Sequence, residues 1–517
     1  MASSSEAIRA EAMPGPVVRP SLGEAAPDQG WELKRGAIGN AIAVLVSNFR
    51  SIFTFLVARL LGPAVLGTYM VAWAATDVIS RLGVLAFDVA ITTFIARAEA
   101  TADHARSRAL FRIAVGLVVL QCAAVAILAI ITVRLVGARF GLEPQMVAAL
   151  SVMLCALPGL ALYKMSTAVS RGMKVMRHDI FSRGLTDSFA TTIAFLAAFY
   201  LGWRTFAPEI ALIVGSAASG VVAFLLAASL FRNAPPADPP LVVGAEIRKL
   251  FAFAAPISAY DLLNSAISRL DVILLALFIG RAPGVTLPVI GIYGIVVEVA
   301  IGLRKVNQAF NPIFGPIVAG LTVHGEQTRA AAAFARLTQW MLWILLPLLA
   351  AMLLAGSLIL WIYGPQFREG AGWLGIVAIA CAVNALVGMA ETVIMVQRPH
   401  LNLINSAVTG VIALVADLWL ISRFGVTGAA FGILLPYLLL GVLRWRTLRK
   451  VFGWKNPWSE AGAPLLAGAI AGVPAVICRL TIPGVPGQVI SVFVFGVVFF
   501  FAWRRHRARS GELPLSG

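Results

Sequence analysis

Charged side chains embedded in apolar sequence are the first chemistry this chain offers. The basic ones are Arg50, Arg81, Lys164, Arg269, Arg304 and Lys305; the acidic ones are Asp77, Asp88, Asp187, Asp261, Asp271, Glu298, Glu391 and Asp417. A charge at the centre of a bilayer costs about 2.5–3.5 kcal/mol on insertion scales, so those that persist face a cavity or a partner. Asp77, Ser80, Arg81 and Asp88 share one helical face at about 100° per residue. Asp261, Asn264, Ser265, Ser268 and Arg269 form a second stripe, with Asp271 at its edge, and Glu298 and Lys305 share a third face. Helices patterned in this way line water, not lipid.

Two chemistries fit these groups. Asp77 with Arg81, and Arg183 with Asp187, are i, i+4 pairs that could neutralise each other within one helix. Arg183, Asp88 and Lys164 lie near the ends of apolar runs, where a long side chain can reach the interface. Arg50 and Arg269 differ: they stand twelve and eleven residues before Gly62 and Gly280, which are equivalent positions of two similar halves. Arg50 has no acidic residue within a turn. An anionic ligand that arrives and leaves accounts for such an arginine, and the planar guanidinium fork suits pyrophosphate.

Other chemistries lack their residues. His104, His178, His324, His400 and His506 are scattered over connections without nucleophile or metal spacing, and no GxxxxGK[ST] phosphate loop is present. An enzyme and an ATP-driven pump are therefore disfavoured, and no resident cofactor is expected. Cys122, Cys155, Cys381 and Cys478 all fall in apolar runs and read as small core residues.

The elements that position these charges are helices crossing a membrane. Apolar residues make up 60% of the 517, charged residues 13%, and the mean hydropathy is +0.89. A helix needs about 20 apolar residues to cross roughly 30 Å of hydrocarbon. About fourteen such runs occur, near 37–60, 66–92, 110–133, 145–169, 180–202, 208–231, 249–278, 288–320, 335–362, 372–396, 401–422, 427–445, 461–482 and 487–503. Hence an all-α polytopic bundle is expected. A tail spans 1–35, a first six-helix lobe 36–232, a proline-rich linker 233–248, a second lobe 249–450, a final helix pair 451–505 and a short tail 506–517. Pro14, Pro16, Pro20 and Pro27 mark the first tail as disordered. Pro256, Pro312 and Pro316 should kink their helices.

The net charge of +17 does not point to nucleic acid, because the basic residues flank apolar runs. Arg97, Arg106, Arg108, Arg112, Arg171, Lys174, Arg177, Arg248, Lys249, Arg444, Arg446, Arg449, Lys450 and Arg504 gather on alternate connections. That asymmetry places both termini in the cytoplasm.

The halves repeat in parallel. Leu61-Gly62-Pro63 through Gly67-Thr68-Tyr69 matches Ile279-Gly280 through Gly291-Ile292-Tyr293. Met176-Arg177-His178-Asp179, with a span ending Tyr200-Leu201-Gly202, matches Arg398-Pro399-His400-Leu401, with one ending Arg423-Phe424-Gly425. Such halves are related by a pseudo-two-fold axis normal to the membrane, a common transporter plan with the site between them.

The run Ala58-Arg59-Leu60-Leu61-Gly62-Pro63-Ala64-Val65-Leu66-Gly67-Thr68-Tyr69 resembles the first-loop signature of polysaccharide-exporter (Wzx-type) flippases. So does Arg269-Leu270-Asp271 followed by Gly280 and Gly291-Ile292-Tyr293. The likeness covers nearly all of 35–455, and that family shares a superfamily with multidrug exporters and lipid II flippases. It implies a bacterial inner-membrane protein that moves undecaprenyl-pyrophosphate-linked oligosaccharide between leaflets by alternating access. Arg50 and Arg269 match the pyrophosphate-receiving arginines. Asp77, Arg81, Asp261, Asp271, Glu298 and Lys305 would line the cavity, contact sugar or couple transport to H+ or Na+. The implied partners are the lipid-linked oligosaccharide, membrane lipids, and polysaccharide polymerase and chain-length machinery. The insertion Arg281 to Pro288 departs from the family's tighter turn. A multidrug or cation antiporter of the same fold is the nearest alternative, and a membrane-embedded polymerase or ligase a more distant one.

Overall fold

The computed structural model describes residues 50–232, 235, 242–323, 326–454 and 458–510. The N-terminal tail, the start of the first expected span, most of the proline-rich connection and residues 511–517 lie outside the described residues. In hydrocarbon the backbone finds no polar solvent, so its N–H and C=O groups must close on one another within helices. Among the described residues every regular element is helical.

Helix α1 (Arg50–Val84) turns at Gly62, whose φ of 76° and ψ of −178° leave two arms, 50–61 and 63–84. Only glycine takes that conformation without strain, and Pro63 suits the first turn of the arm that follows. Leu85 and Ala86, both at positive φ, separate α1 from α2 (Phe87–Ala100). Helix α3 (His104–Val136) is capped by Asp103, whose carboxylate accepts the Arg106 N–H at 2.9 Å. Helices α4 (Pro144–Leu154) and α5 (Leu157–Gly172) follow. A π-helix, Ile180–Asp187, then leads into α6 (Ser188–Tyr200), and α7 (Ala207–Ser229) completes the first half.

The second half comprises α8 (Val243–Leu277), α9 (Leu287–Val323), α10 (Gln327–Trp361), α11 (Ala371–Gln397) and α12 (Pro399–Val451). Helix α12 turns at Gly425, with φ 55° and ψ −131°. Two more helices, α13 (Gly462–Thr481) and α14 (Gly484–Ser510), close the chain. Among the described residues eleven helical stretches are long and apolar enough to cross a membrane. The chain is therefore a multi-pass membrane protein. The fourteen spans expected from hydropathy differ from these eleven in three places. Gly62 and Gly425 each stand at a turn between two of the expected runs, which are counted here as one stretch, and the π-helix leaves only 13 α-helical residues in the fifth.

The repeat is visible in the backbone. Gly62 and Gly280 have φ of 76° and 69°, and Gly202 and Gly425 have φ of 87° and 55°. These are the glycines that the two repeated motifs align. Within the first half α5 packs on α2, α3 and α7; within the second, α11 packs on α9 and α12, and α8 on α12. Helix α1 crosses onto α8 and α9. There Phe53, Leu66 and Tyr69 share a core with Ile290, Tyr293 and Val296. At its centre, a methyl group added to Gly67 would overlap the Leu287 carbonyl and lie 3.1 Å from the Gly291 nitrogen. One added to Gly291 would overlap the Pro63 carbonyl and lie 2.9 Å from the Gly67 nitrogen. Each glycine thus meets the carbonyl four residues before its counterpart, so the contact is itself two-fold symmetric. The final pair packs on α10 through Ala467, Ala471 and Ala475. Small residues there let helices approach where lipid offers no hydrophobic gain.

Candidate functional site

The second arm of α1 and the middle of α8 lie against each other, and both carry charges toward the contact. The Arg81 Nη1 donates to both oxygens of Asp261, at 2.9 and 2.8 Å. The Arg269 Nε donates to Asp77 Oδ2 at 3.2 Å. Each half thus gives one arginine and one aspartate to a pair of crossed ion pairs. The pair raised by spacing alone, Asp77 with Arg81 one turn away, is also present but longer, at 4.0 Å. Arg269 is not an unpaired cation. A helix's own periodicity identifies its polar face but not what another helix brings to it.

These pairs are partly exposed. The side chains of Arg81 and Asp261 are 34% and 38% exposed, those of Arg269 and Asp77 26% and 16%. Among the described residues Arg269 uses only Nε, so its two terminal nitrogens carry no hydrogen bond to the protein. Lys164 on α5, whose sequence position suggested reach toward the interface, instead donates to Ser80 Oγ at 3.3 Å. Ser80 in turn donates to the Asp77 carbonyl at 2.7 Å. Three cations and two carboxylates therefore converge where the halves meet.

Not every expected residue joins them. Arg50 opens α1, but its side chain lies outside the described residues. Asp271 turns the other way, into the second half, and accepts a hydrogen bond from Tyr293 Oη at 2.8 Å. Both are buried. The polar stripe of α8 is thus divided: Asp261 and Arg269 face the first half, whereas Asn264, Ser268 and Asp271 line cavities inside the second. Glu298 and Lys305 are half-buried on α9, Glu298 close enough to act electrostatically on Tyr363.

The second half also holds a buried cluster. Arg444 Nη2 pairs with Glu391 at 2.9 Å, and the Arg444 side chain is 1% exposed. Nη1 donates to the Val387 carbonyl at 3.3 Å and Nη2 to Asn402 Oδ1 at 3.4 Å. Tyr260 Oη donates to Glu391, closing the cluster onto α8. The sequence places Arg444 among cytoplasmic loop charges, because the apolar run ends at 445. The correction follows from helix length: α12 continues to Val451, which carries Arg444 back among packed helices. Arg304 stands over the Tyr437 ring, 6.0 Å from its centre, where the two cavities meet.

Residues 33–313 match the family described as polysaccharide biosynthesis protein. A search of curated protein sequences finds no match. Among solved structures, a lipid II flippase, MurJ, in an inward closed conformation superposes with TM-score 0.69 at 11% identity, covering 92% of this chain and 100% of that one. An inward-facing multidrug transporter of the MOP superfamily gives 0.68 at 12% identity, covering 80% and 98%. A eukaryotic multidrug transporter, AtDTX14, gives 0.57 at 13%, covering 84% and 98%. At these identities the likeness is one of fold.

Proposed function

The chain belongs to the polysaccharide biosynthesis protein family, within a superfamily of flippases and exporters, and from that premise we propose that it flips a lipid-linked oligosaccharide. The cargo is a repeat unit on undecaprenyl pyrophosphate, carried from the cytoplasmic to the periplasmic leaflet of a bacterial inner membrane for surface polysaccharide assembly. Both termini lie in the cytoplasm in this reading.

The observation that supports it best is the exchangeable state of Arg269. Among the described residues it bonds Asp77 through Nε alone, in a pair whose side chains are 26% and 16% exposed, and the outer edge of the guanidinium is left open. A pyrophosphate brings more charge than a carboxylate and presents paired oxygens to that fork. It can take Arg269 from Asp77 without stranding a dry charge, since Arg81 is 4.0 Å from Asp77 and Lys164 binds one turn along. Ligand binding and the loosening of one half from the other then become the same event, as differential affinity for two states requires. Arg50 is assigned the same role in the first half on its repeat position. Asp77, Asp261, Asp271 and Glu298 remain the carboxylates through which H+ or Na+ would couple.

A multidrug antiporter is the second reading, favoured by the superposed exporters. Cationic drugs call for free carboxylates and aromatic faces, whereas Asp77 and Asp261 are each tied to an arginine here. The deciding experiment replaces Arg269 and Arg50 singly by Ala in cells that depend on this protein. Loss of surface polysaccharide, with lipid-linked precursor accumulating on the cytoplasmic side and the protein still inserted, supports the flippase. Normal export from both variants rejects it.

A further inference from the structure

The first half holds a carboxylate that nothing answers. Glu209, third residue of α7, is 0% exposed, as are Ala207, Ala211 and Leu212 around it. Among the described residues it is the one carboxylate with both oxygens buried and without a hydrogen-bond partner. Other acids deep in the helices are met: Asp77 and Asp261 by arginines, Asp271 by Tyr293, Glu391 by Arg444. Gly159 meets Ala217 and Leu162 meets Gly220, so α5 runs parallel to α7 and carries Lys164 and Arg171 away from Glu209. Thr191 meets Gly215 on the antiparallel α6, which leaves Arg183 and Asp187 on the far side as well. Toward the Glu209 end, the ionisable groups on the packed elements are Glu143, Cys155, Tyr200 and Arg59, all exposed, and Tyr69, whose ring packs on Phe53. None of them acts on Glu209 electrostatically.

The second half holds a counterpart. Glu209 follows Gly202 by seven residues, and Gly432 follows the aligned Gly425 by seven. A methyl group added to Gly432 would overlap the Asp417 carboxylate, whose Oδ1 is also buried without a partner. Each half thus keeps a dry carboxylate at the same point of the repeat, supplied by α7 in one and by the first arm of α12 in the other. An apolar residue would fill either place at less cost, because an unbonded acid is penalised by burial. What an acid adds is a proton that can come and go. Glu209 also lies in the first turn of its helix, where free N–H groups favour negative charge, and the exposed connection 201–205 ends four residues before it. It is therefore suited to be a neutral acid when dry and an anion when water reaches it.

We propose that Glu209 is a proton-binding site of the transport cycle, loaded from the α6–α7 connection. In this conformation the site is closed and holds the proton on one Oε. When the start of α7 is wetted, the O–H bond breaks, the proton passes to water and the anion is held by the helix N-terminus. The sign follows from the proton count. The closed conformation binds one proton more than the wet one, so acid on that side favours closure and alkali favours opening. In the orientation argued from the basic residues, that side is the periplasm. The inference rests on the transport reading above for its cycle, but not on the identity of the cargo.

The proton itself is measured on purified full-length protein. Infrared spectra of the unaltered chain and of Glu209→Gln are expected to differ by the carbonyl band of one protonated carboxylic acid, and that band is expected to fade as the pH is raised. A missing band shows an ionised Glu209, and a band that persists at every pH at which the protein stays folded shows a proton that never leaves; either result overturns the proposal. In cells that depend on the protein, export is expected to change several-fold with the pH of the medium. Glu209→Gln should lose that dependence and Glu209→Asp keep it. A Gln variant with the unaltered profile also overturns the proposal. Should the band titrate while the unaltered chain exports nothing lipid-linked, the proton site stands and the flippase reading falls. An absent band with normal export of lipid-linked oligosaccharide removes the site and leaves the flippase reading untouched.

Discussion

Arg81 and Asp261 are 180 residues apart in sequence, yet one guanidinium nitrogen bonds both oxygens of the carboxylate, at 2.9 and 2.8 Å. The companion pair, Asp77 with Arg269, reverses the order: acid from the first half, base from the second. Two halves that each carried only one sign would set like charges side by side within each half. Crossing the signs lets either pair open while the other keeps the halves in register.

The ion pairs should act on transport more than on folding. Half-exposed pairs contribute only about 0.2–1 kcal/mol, and both partners of Arg81–Asp261 are about a third exposed. Arg81→Ala and Asp261→Ala are therefore expected to shift the melting temperature by a few degrees at most while lowering export severalfold. The exchanged double variant Arg81→Asp/Asp261→Arg should export better than either single change. Melting and export assays on the three proteins check this; an exchange no better than the singles argues that the pair has no joint role.

Lysine should be a poor replacement at Arg269. An ammonium is one point of charge on a flexible stem, whereas the guanidinium holds Asp77 through Nε and keeps a fork for the ligand. Arg269→Lys is expected to lose at least about tenfold in export, equivalent to ~1.4 kcal/mol of ligand binding. Asp77→Asn, which releases Arg269, should strengthen binding of the pyrophosphate-bearing lipid and slow its release. Binding of that lipid to purified protein, compared with turnover, measures both; equal binding by the Lys variant would dismiss the fork.

Much of the fold could be read from residues, and the site only in part. Gly62, Gly280, Gly202 and Gly425 were legible because a turn between antiparallel spans needs positive φ, and glycine records that need in the sequence. The insertion from Arg281 to Pro288 blurred the alignment of the eighth span, yet Gly291 still meets Gly67. The extra residues are absorbed before Leu287, in the connection ahead of α9. The polar faces of α1 and α8 were legible from 3.6-residue periodicity. Their pairing was not, because periodicity gives the direction of a side chain and no partner. Arg444 was misplaced for another reason. Hydropathy sees where apolar residues stop, while α12 continues past that point as a polar helix.

Arg444 should be a structural cornerstone. Its side chain is 1% exposed, and its partners are the Glu391 carboxylate, the Val387 carbonyl and Asn402. The Glu391 side chain is 31% exposed, so removing Arg444 strands a partly exposed carboxylate and costs less than the about 3–5 kcal/mol of a fully buried pair. Arg444→Met is expected to unfold at markedly lower temperature. Arg444→Met/Glu391→Gln removes both charges and should recover much of the loss. Thermal unfolding of purified protein measures both. If the double variant is as unstable as the single one, the destabilisation comes from lost packing and not from the stranded carboxylate.

Tyr293 stands beside Gly291 in the repeated motif, and its hydroxyl is donated to Asp271 at 2.8 Å. Both side chains are buried, so the bond ties the carboxylate of α8 to α9 within the second half. Tyr293→Phe keeps the ring and deletes the donor. A buried acceptor stripped of its partner costs about 1–3 kcal/mol. Asp271→Asn retains an acceptor for the phenol and should be milder. Tyr293→Phe is therefore expected to melt earlier than the unaltered protein, and Asp271→Asn to fall between the two. Thermal unfolding of the purified variants measures this; a Tyr293→Phe protein that melts like the unaltered one would show that the bond does not hold α8 to α9.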